Sequence, residues 1–443
     1  MKKIVVIGNG IAGITAARHI RKKSDHAITI ISSETEHFYS RTALMYIYMG
    51  HMEYHHTKPY EDWFWKKNKL SLVKDYVNKV DCENKMLHLR DGDSIAYDIL
   101  IIATGSVPNK FGWPGQDLKG VTGLYGIPDL QAMEQYTQNI DRAVVVGGGL
   151  IGIEMAEMLH SRHIPVSFLV REKSFWNRVL PAEESLMVNQ HIREHGFDLR
   201  LETEVERLEG DDTGRVKSVV AKSGEIISCQ FVGLTVGVSP NIKFLEGSGI
   251  ETDRGVLVDE FLATNTPDVY AIGDCAQQRQ PKPGRKSVEQ IWYTGRMQGE
   301  TLAYSLCGNK TSYQPGVFFN SAKFLDIEYQ IYGEIKAQPA DDEEHLYWEH
   351  EESRKSIRIV YKKEEQHVIG FNLMGIRYRH EVCERWIKNK VTITEVLQNL
   401  RSANFDPEFF DKYEDQLMLK YNQLNPQNPI RLRKKSLLGI FSY

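Results

Sequence analysis

The sequence has little cysteine: five residues in 443, at 82, 229, 275, 307 and 383. None falls in a CxxC or CxxxxC spacing, which excludes zinc knuckles and a local dithiol pair. An odd, scattered set suits a reducing compartment, so a cytoplasmic location is expected. Long apolar runs are also missing; none approaches the roughly 18 residues of a membrane-spanning helix. Nor does charge of one sign prevail. Lys+Arg number 55 against 59 Asp+Glu, a formal net charge of −4. That balance argues against a nucleic acid partner, which needs a basic face. The opening MKKIVVIGNG runs from a short apolar stretch straight into glycine and does not read as a secretory leader. Length alone allows about two to four domains.

Glycine, by contrast, recurs at fixed spacing. Lys3–Ile7 reads as a buried strand, Gly8-Asn-Gly10-Ile-Ala-Gly13 as a turn, Ile14–Lys22 as a helix and Ala27–Ile31 as a second strand. Gly8 permits the tight turn, Gly10 lets a pyrophosphate approach the backbone, and Gly13 lets helix and strand pack closely. The helix start then offers free N–H groups to an anion. Glu34, at the end of the second strand, is placed to accept from ribose hydroxyls. The grammar repeats at Arg142–Val146, Gly147-Gly-Gly149-Leu-Ile-Gly152 and a helix over Ile153–Arg162, ending in the strand Pro165–Val170. Two cradles in one chain imply two dinucleotides. Two further strand ends carry small or acidic residues: Ile101-Ile-Ala103-Thr104-Gly105, and Tyr270-Ala-Ile-Gly273-Asp274. Asp274 would sit at the carboxyl edge of the sheet, where open α/β sheets bind ligands; taken singly, each motif reads first as a structural strand end.

In this order the motifs resemble the two-dinucleotide-binding-domain flavoproteins, the pyridine nucleotide–disulfide oxidoreductase superfamily. The resemblance covers about residues 1–300 and includes Gly237-Val-Ser-Pro240-Asn241. It implies an α/β fold with two Rossmann-like domains, one for FAD and one for NAD(P), plus a C-terminal α+β interface domain. The expected boundaries are 1–112 with 251–313 for FAD, 113–250 for NAD(P), and 314–443 for the interface domain. It implies that Gly8, Gly10, Gly13, Glu34, Ala103, Thr104, Gly105 and Asp274 hold FAD, with the Val77 backbone at the adenine. Gly147, Gly149, Gly152, Glu154 and Gly237 would line the nicotinamide-cofactor site, and Glu154 would position the nicotinamide. Glu289 and Trp292 are the expected flavin neighbours from a later helix start.

The stretch after Glu34 separates the subfamilies. Thr42 stands where single-cysteine members carry their redox thiol, so disulfide and peroxide chemistry is not expected. Tyr39, Arg41 and Leu44 instead match the Y-x-R-x-x-L-S-K pattern of rubredoxin, ferredoxin and nitrite reductase flavin modules. Met45 and Tyr46 replace its Ser-Lys pair. Arg41 would then pair with the FAD pyrophosphate, and Tyr46 is a candidate beside the flavin or a packing aromatic. At the second cofactor strand, Arg171 in the usual acidic slot favours NADPH, while Glu172 one residue on would serve NADH.

The implied activity is an FAD-dependent NAD(P)H oxidoreductase. Three destinations for its electrons compete: a rubredoxin- or ferredoxin-like carrier protein, which leads; oxygen, quinone or a nitrite-related small molecule; or none, in a slowly turning-over binding module. No metal site is expected. His51, His55 and His56 read as a wet surface cluster, and Asp341–Glu344 as a solvated loop. The basic-then-apolar tail Arg431–Phe441 reads first as a frayed or self-docked terminus, and alternatively as a peripheral membrane or partner contact. A homodimer through the C-terminal domain is the accompanying assembly expectation.

Overall fold

The computed structural model describes residues 1–406, 408 and 411–431. The chain divides into two compact units, residues 1–171 with 197–315, and residues 172–196 with 316–443.

The first unit holds two parallel sheets. Strand β1 (Lys3–Ile7) leads through a glycine turn into helix α1 (Ile11–Lys23) and strand β2 (Ala27–Ser32). The sheet order is Val269–Ala271, Ile99–Ile102, β1, β2, Leu70–Lys74, parallel throughout. β1 reads as a continuous apolar run because both faces of a parallel sheet are covered; Ile4, Val5 and Val6 are buried. The second sheet repeats the theme. Helix α2 (Ile127–Tyr136) precedes strand β3 (Ala143–Val146), helix α3 (Leu150–Ser161) and strand β4 (Val166–Leu169). Its order is Asp198–Arg200, β4, β3, Phe231–Leu234, Val121–Thr122, again parallel.

Both crossover helices begin three residues earlier than expected, at Ile11 and Leu150. Gly13 and Gly152 therefore lie inside the first helical turn. The cost of glycine there is offset by close packing, since a Cβ at either would overlap the carbonyl oxygen of the first cradle glycine, Gly8 or Gly147. The helix Trp292–Cys307 lies against α1 through small residues. A Cβ at Gly299 would come within 2.6 Å of the Ala12 oxygen. This close approach holds the start of that helix beside the first cradle.

The second unit is an antiparallel five-stranded sheet, ordered Phe319–Phe324, Ile327–Gly333, Val368–Met374, Ser356–Lys362, Glu343–Glu349. Its core gathers Phe371, Leu373, Ile359 and the helical residues Val382, Trp386, Val396 and Leu400. The helix Ala182–Glu194 belongs to this unit and carries Glu184, which is fully buried. Arg358 answers it with a two-pronged ion pair at 2.7 and 2.8 Å, and Asn372 donates to the same carboxylate at 3.0 Å. The acidic run at 341–344 is a solvated turn only in part: Asp341 and Asp342 form an exposed turn. Glu343 opens a strand and is buried, because Lys336 (2.8 Å) and Lys362 (3.4 Å) neutralise it. Among the described residues no helix is long and apolar enough to cross a membrane. The tail from residue 432 onward lies outside the described residues.

Candidate functional site

The two cradles are built by the same hydrogen bonds. Gly8 N–H donates to Ile31 O (2.8 Å) and Gly147 N–H to Leu169 O (2.9 Å). Ala103 N–H donates to Ile7 O (2.8 Å) and Thr235 N–H to Val146 O (2.9 Å), bringing the next strand end alongside each turn. Gly8 and Gly147 need φ of +111° and +119°, a region open to glycine. The middle glycines differ in kind. Gly10 and Gly149 have ordinary extended φ (−72° and −126°), yet a Cβ on either would meet no protein atom within 4 Å. The space in front of each helix N-terminus is therefore free for a pyrophosphate, and both cradles fit a dinucleotide.

A cleft of about 670 Å³ opens from the first cradle. Gly8, Gly10, Glu34, Arg41, Val77, Ala103, Thr104, Gly105, Asp274 and Trp292 all line it. So do Leu150, Ile151 and Glu154 from the second cradle's helix. The nucleotide-binding halves thus share one cavity. Gly13, one turn into α1, packs behind the cradle against Val6 and Ala103 and is not on the wall.

Glu34 is the most heavily engaged wall residue. Its carboxylate pairs with Arg41 Nη2 at 2.7 Å and accepts from Ile127 N–H at 2.7 Å and from the Tyr39 hydroxyl. Burial alone would raise this carboxyl, but the Arg41 charge and the donated bonds hold it below its ordinary value. The Ile127 bond also caps α2, supplying one of its orphan N–H groups with an acceptor. Arg41 reaches Tyr125 O at 2.6 Å, and its guanidinium lies 4.6 Å from the Tyr125 ring. Asp274 sits on the turn Gly273–Cys275 after the strand Val269–Ala271. Burial pushes its carboxyl up, and the Tyr125 hydroxyl (3.2 Å) and Ser106 Oγ (3.3 Å) donate to it in opposition. Thr104 Oγ1 donates to Asn241 O (2.7 Å), tying the strand end to the segment after Gly237. Glu154 carries a carboxyl pushed up to about 7, by burial first and by Glu157 second.

Not every candidate reaches the cleft. Tyr46 is absent from its wall; the ring stacks on His51, centroids 6.1 Å apart, while neighbouring Met45 faces the cavity. Glu289 turns away into a buried ion pair with Arg285 (2.5 Å) and accepts from Thr294 (3.0 Å). Gln290 takes the wall position, donating to Ser106 Oγ (2.9 Å) and Val238 O (3.1 Å). Gly237 has φ +92° behind the wall residue Val238. Arg171 is exposed two residues after β4. Glu172 pairs with Arg178 at 3.4 Å. The His55 and His56 rings are tilted against each other, centroids 3.9 Å apart and planes at 47°, with His55 beside Glu53 (3.2 Å).

Sequence reasoning missed Tyr125, Gln290 and Asp129. Asp129 accepts from the N–H groups of Tyr125 (2.8 Å) and Gly126 (3.0 Å), fixing the chain just ahead of α2 against the cleft. The only advance signal was Gly126-Ile-Pro128-Asp129, a helix start with proline early and an acid in the first turn.

Residues 2–299 match the pyridine nucleotide-disulphide oxidoreductase family. Over 374 residues the chain is 32% identical to a nitrite reductase [NAD(P)H] of Bacillus subtilis, covering 82% of this chain and 44% of that protein. It is 30% identical over 312 residues to the ferredoxin–NAD(+) reductase subunit of a benzene 1,2-dioxygenase system of Pseudomonas putida, covering 70% and 75%. The chain spans less than half the length of the nitrite reductase and of the assimilatory nitrate reductase electron transfer subunit it also matches. Among solved structures, an NAD-dependent persulfide reductase from A. fulgidus shares the fold with a TM-score of 0.84 at 23% identity, over 96% of this chain and 84% of that one. Cradle geometry, shared cavity and these likenesses agree: the chain belongs to the pyridine nucleotide-disulphide oxidoreductase family.

Proposed function

We propose that this chain is an FAD-dependent NAD(P)H oxidoreductase that delivers electrons to a redox carrier protein of the ferredoxin or rubredoxin kind. FAD and NAD(P)H are the cofactors typical of the family. The carrying observation is that Leu150, Ile151 and Glu154 of the second cradle line the same cleft as Gly8, Thr104 and Asp274 of the first. When bound there, the flavin supplies hydride acceptance from nicotinamide C4 at its N5 and onward electron transfer.

The protein's own share is orientation and charge. Gly10 and the start of α1 would receive the FAD pyrophosphate, and Glu34 and Asp274 would accept from its ribose and ribityl hydroxyls. Arg41, now tied to Glu34, is the cation within reach of those phosphates. Gly149 and the start of α3 would receive the second pyrophosphate. Glu154, titrating near neutrality, can both donate to and accept from a nicotinamide carboxamide. Trp292 and Tyr125 would fence the flavin side. Among the described residues no cysteine lines the cleft, so these walls offer no thiol to relay electrons.

Arg171 supports NADPH as the preferred coenzyme, because a guanidinium suits a 2′-phosphate. The FAD domain is assigned to 1–112 with 251–313, the NAD(P) domain to 113–250, of which 172–196 group with the second unit, and an interface domain to 314–443. The likeness to nitrite reductase favours a second destination, electrons delivered to a nitrite-reducing protein. Anaerobic stopped-flow mixing of FAD-loaded protein with NADPH and with NADH tests the reading. Flavin bleaching, faster with NADPH, is expected, followed by reoxidation on adding a carrier protein. No bleaching with either coenzyme refutes the reductase reading.

A further inference from the structure

The second unit carries a side-chain cluster unconnected with the cleft. His191 lies in the last turn of the helix Ala182–Glu194, and His195 is the residue that ends it. Asp326 lies in the two-residue turn, Leu325-Asp326, joining the strands Phe319–Phe324 and Ile327–Gly333. One ligand atom from each of the three lies within 4.8 Å of the others.

We propose that His191, His195 and Asp326 form a binding site for a divalent transition-metal cation of the zinc type. Three protein ligands plus water would complete a tetrahedral shell of nitrogen and oxygen donors. Tetrahedral zinc places such donors roughly 3.3 Å apart, and His195 Nε2 already stands 3.6 Å from Asp326 Oδ1. His191 Nε2 is in direct contact with the same oxygen.

The outer contacts prepare both imidazoles. His195 Nδ1 lies 2.9 Å from the His191 carbonyl oxygen. A carbonyl only accepts, so Nδ1 carries the hydrogen and Nε2 presents its lone pair to the cluster. His191 is 1% exposed, so its ring is held in place by the packing around it. Its Nδ1 is buried without a hydrogen-bond partner, and the nearest carboxylate oxygen, Glu194 Oε2, is 3.9 Å away. An ordinary His–Asp pair through Nε2–H leaves that nitrogen as an unused buried acceptor. Metal at Nε2 moves the ring proton to Nδ1, which becomes a donor facing the Glu194 carboxylate. Arg354 Nη2, 3.5 Å from Glu194, holds that carboxylate in place. The turn fixes the third ligand: Leu325 adopts φ +57°, which reverses the chain and presents Asp326 outward. Bound metal would pin the end of the helix to the hairpin.

The test uses the full-length, cofactor-loaded protein, stripped with a chelator and titrated with Zn²⁺ by calorimetry and with Co²⁺ by visible absorption. Wild type is expected to take one equivalent, with the intense Co²⁺ band of tetrahedral coordination. His195→Ala and Asp326→Asn, at partly and largely exposed positions, are each expected to weaken binding at least tenfold with an unchanged circular dichroism spectrum. His55→Ala, in the other histidine cluster, is expected to leave binding unchanged. Absence of binding in wild type, equal affinity in His195→Ala and Asp326→Asn, or loss of binding in His55→Ala would each overturn the assignment.

Discussion

Gly10 offers the sharpest separation between holding a cofactor and holding the fold. Its backbone sits at φ −72° and ψ −178°, which alanine adopts freely, and a Cβ there touches nothing of the protein. Gly10→Ala should therefore change nucleotide-free stability by less than about 0.5 kcal/mol. The new methyl group would stand where the pyrophosphate meets the helix N-terminus. Losing one charge-assisted hydrogen bond there costs about 1.5–3 kcal/mol, which weakens FAD binding roughly 10- to 150-fold. Gly8→Ala is the contrasting variant. It combines φ +111° with overlap of the Ala103 carbonyl, so it should destabilise the nucleotide-free fold itself, by at least about 1–3 kcal/mol of backbone strain. Urea denaturation of the apoprotein reads the first quantity, and fluorescence titration with FAD reads the second. Wild-type FAD affinity in Gly10→Ala, or a large loss of apoprotein stability in that variant, would refute the assignment of the free space to a pyrophosphate.

Other residues give equally direct expectations. Glu154 titrates at about 7 against an ordinary 4.5, so the native state binds the extra proton between those values. Nucleotide-free protein should lose up to about 3 kcal/mol as pH rises through that window, and Glu154→Gln should abolish the slope in urea midpoints measured from pH 4.5 to 7; an unchanged slope would remove Glu154 as its cause. Arg171→Ala should raise KM for NADPH roughly tenfold, the discounted worth of one exposed charge-assisted contact, and leave KM for NADH nearly unchanged in steady-state assays. Equal effects on both coenzymes would count against a 2′-phosphate contact. Arg358→Leu strands the buried Glu184 carboxylate and should cost about 3–5 kcal/mol, with much of it recovered in the Glu184→Leu/Arg358→Leu double variant; chemical denaturation checks both.

How much of this was legible in advance follows from the range over which each feature is determined. The cradles were readable because a positive φ and close backbone approach allow little but glycine, and that constraint is local. The strand β1 and the strand Ile99–Ile102 were readable because a sheet buried on both faces demands unbroken apolar runs. The helix starts were misplaced by three residues, since glycine's poor helix propensity hides its packing value at Gly13 and Gly152. Glu289 and Gln290 are adjacent, and nothing in sequence says which faces the cavity; the Arg285 pair decides it. Tyr125 acts on Asp274 across 149 positions, and Asp326 meets His191 across 135. No spacing rule reaches that far. Within the exposed acidic run, Glu343 alone is buried, and that was hidden because the neutralising Lys362 is brought in only by strand pairing.

The sheet order has a consequence for how the protein is made. The first cradle sits between β1 and a strand edge completed by Val269–Ala271, and its wall includes Asp274 and Trp292. Ribosomes add on the order of 5–20 residues per second, so the N-terminal glycine turn waits on the order of tens of seconds for its far wall to emerge. The second cradle needs only the chain from Val121 to Leu234 for its whole sheet. During synthesis the downstream cradle can close before the upstream one. Until then the strand Ile99–Ile102 lacks its outer neighbour and α1 lacks the helix Trp292–Cys307 that packs on it, which leaves apolar surface open to non-native association.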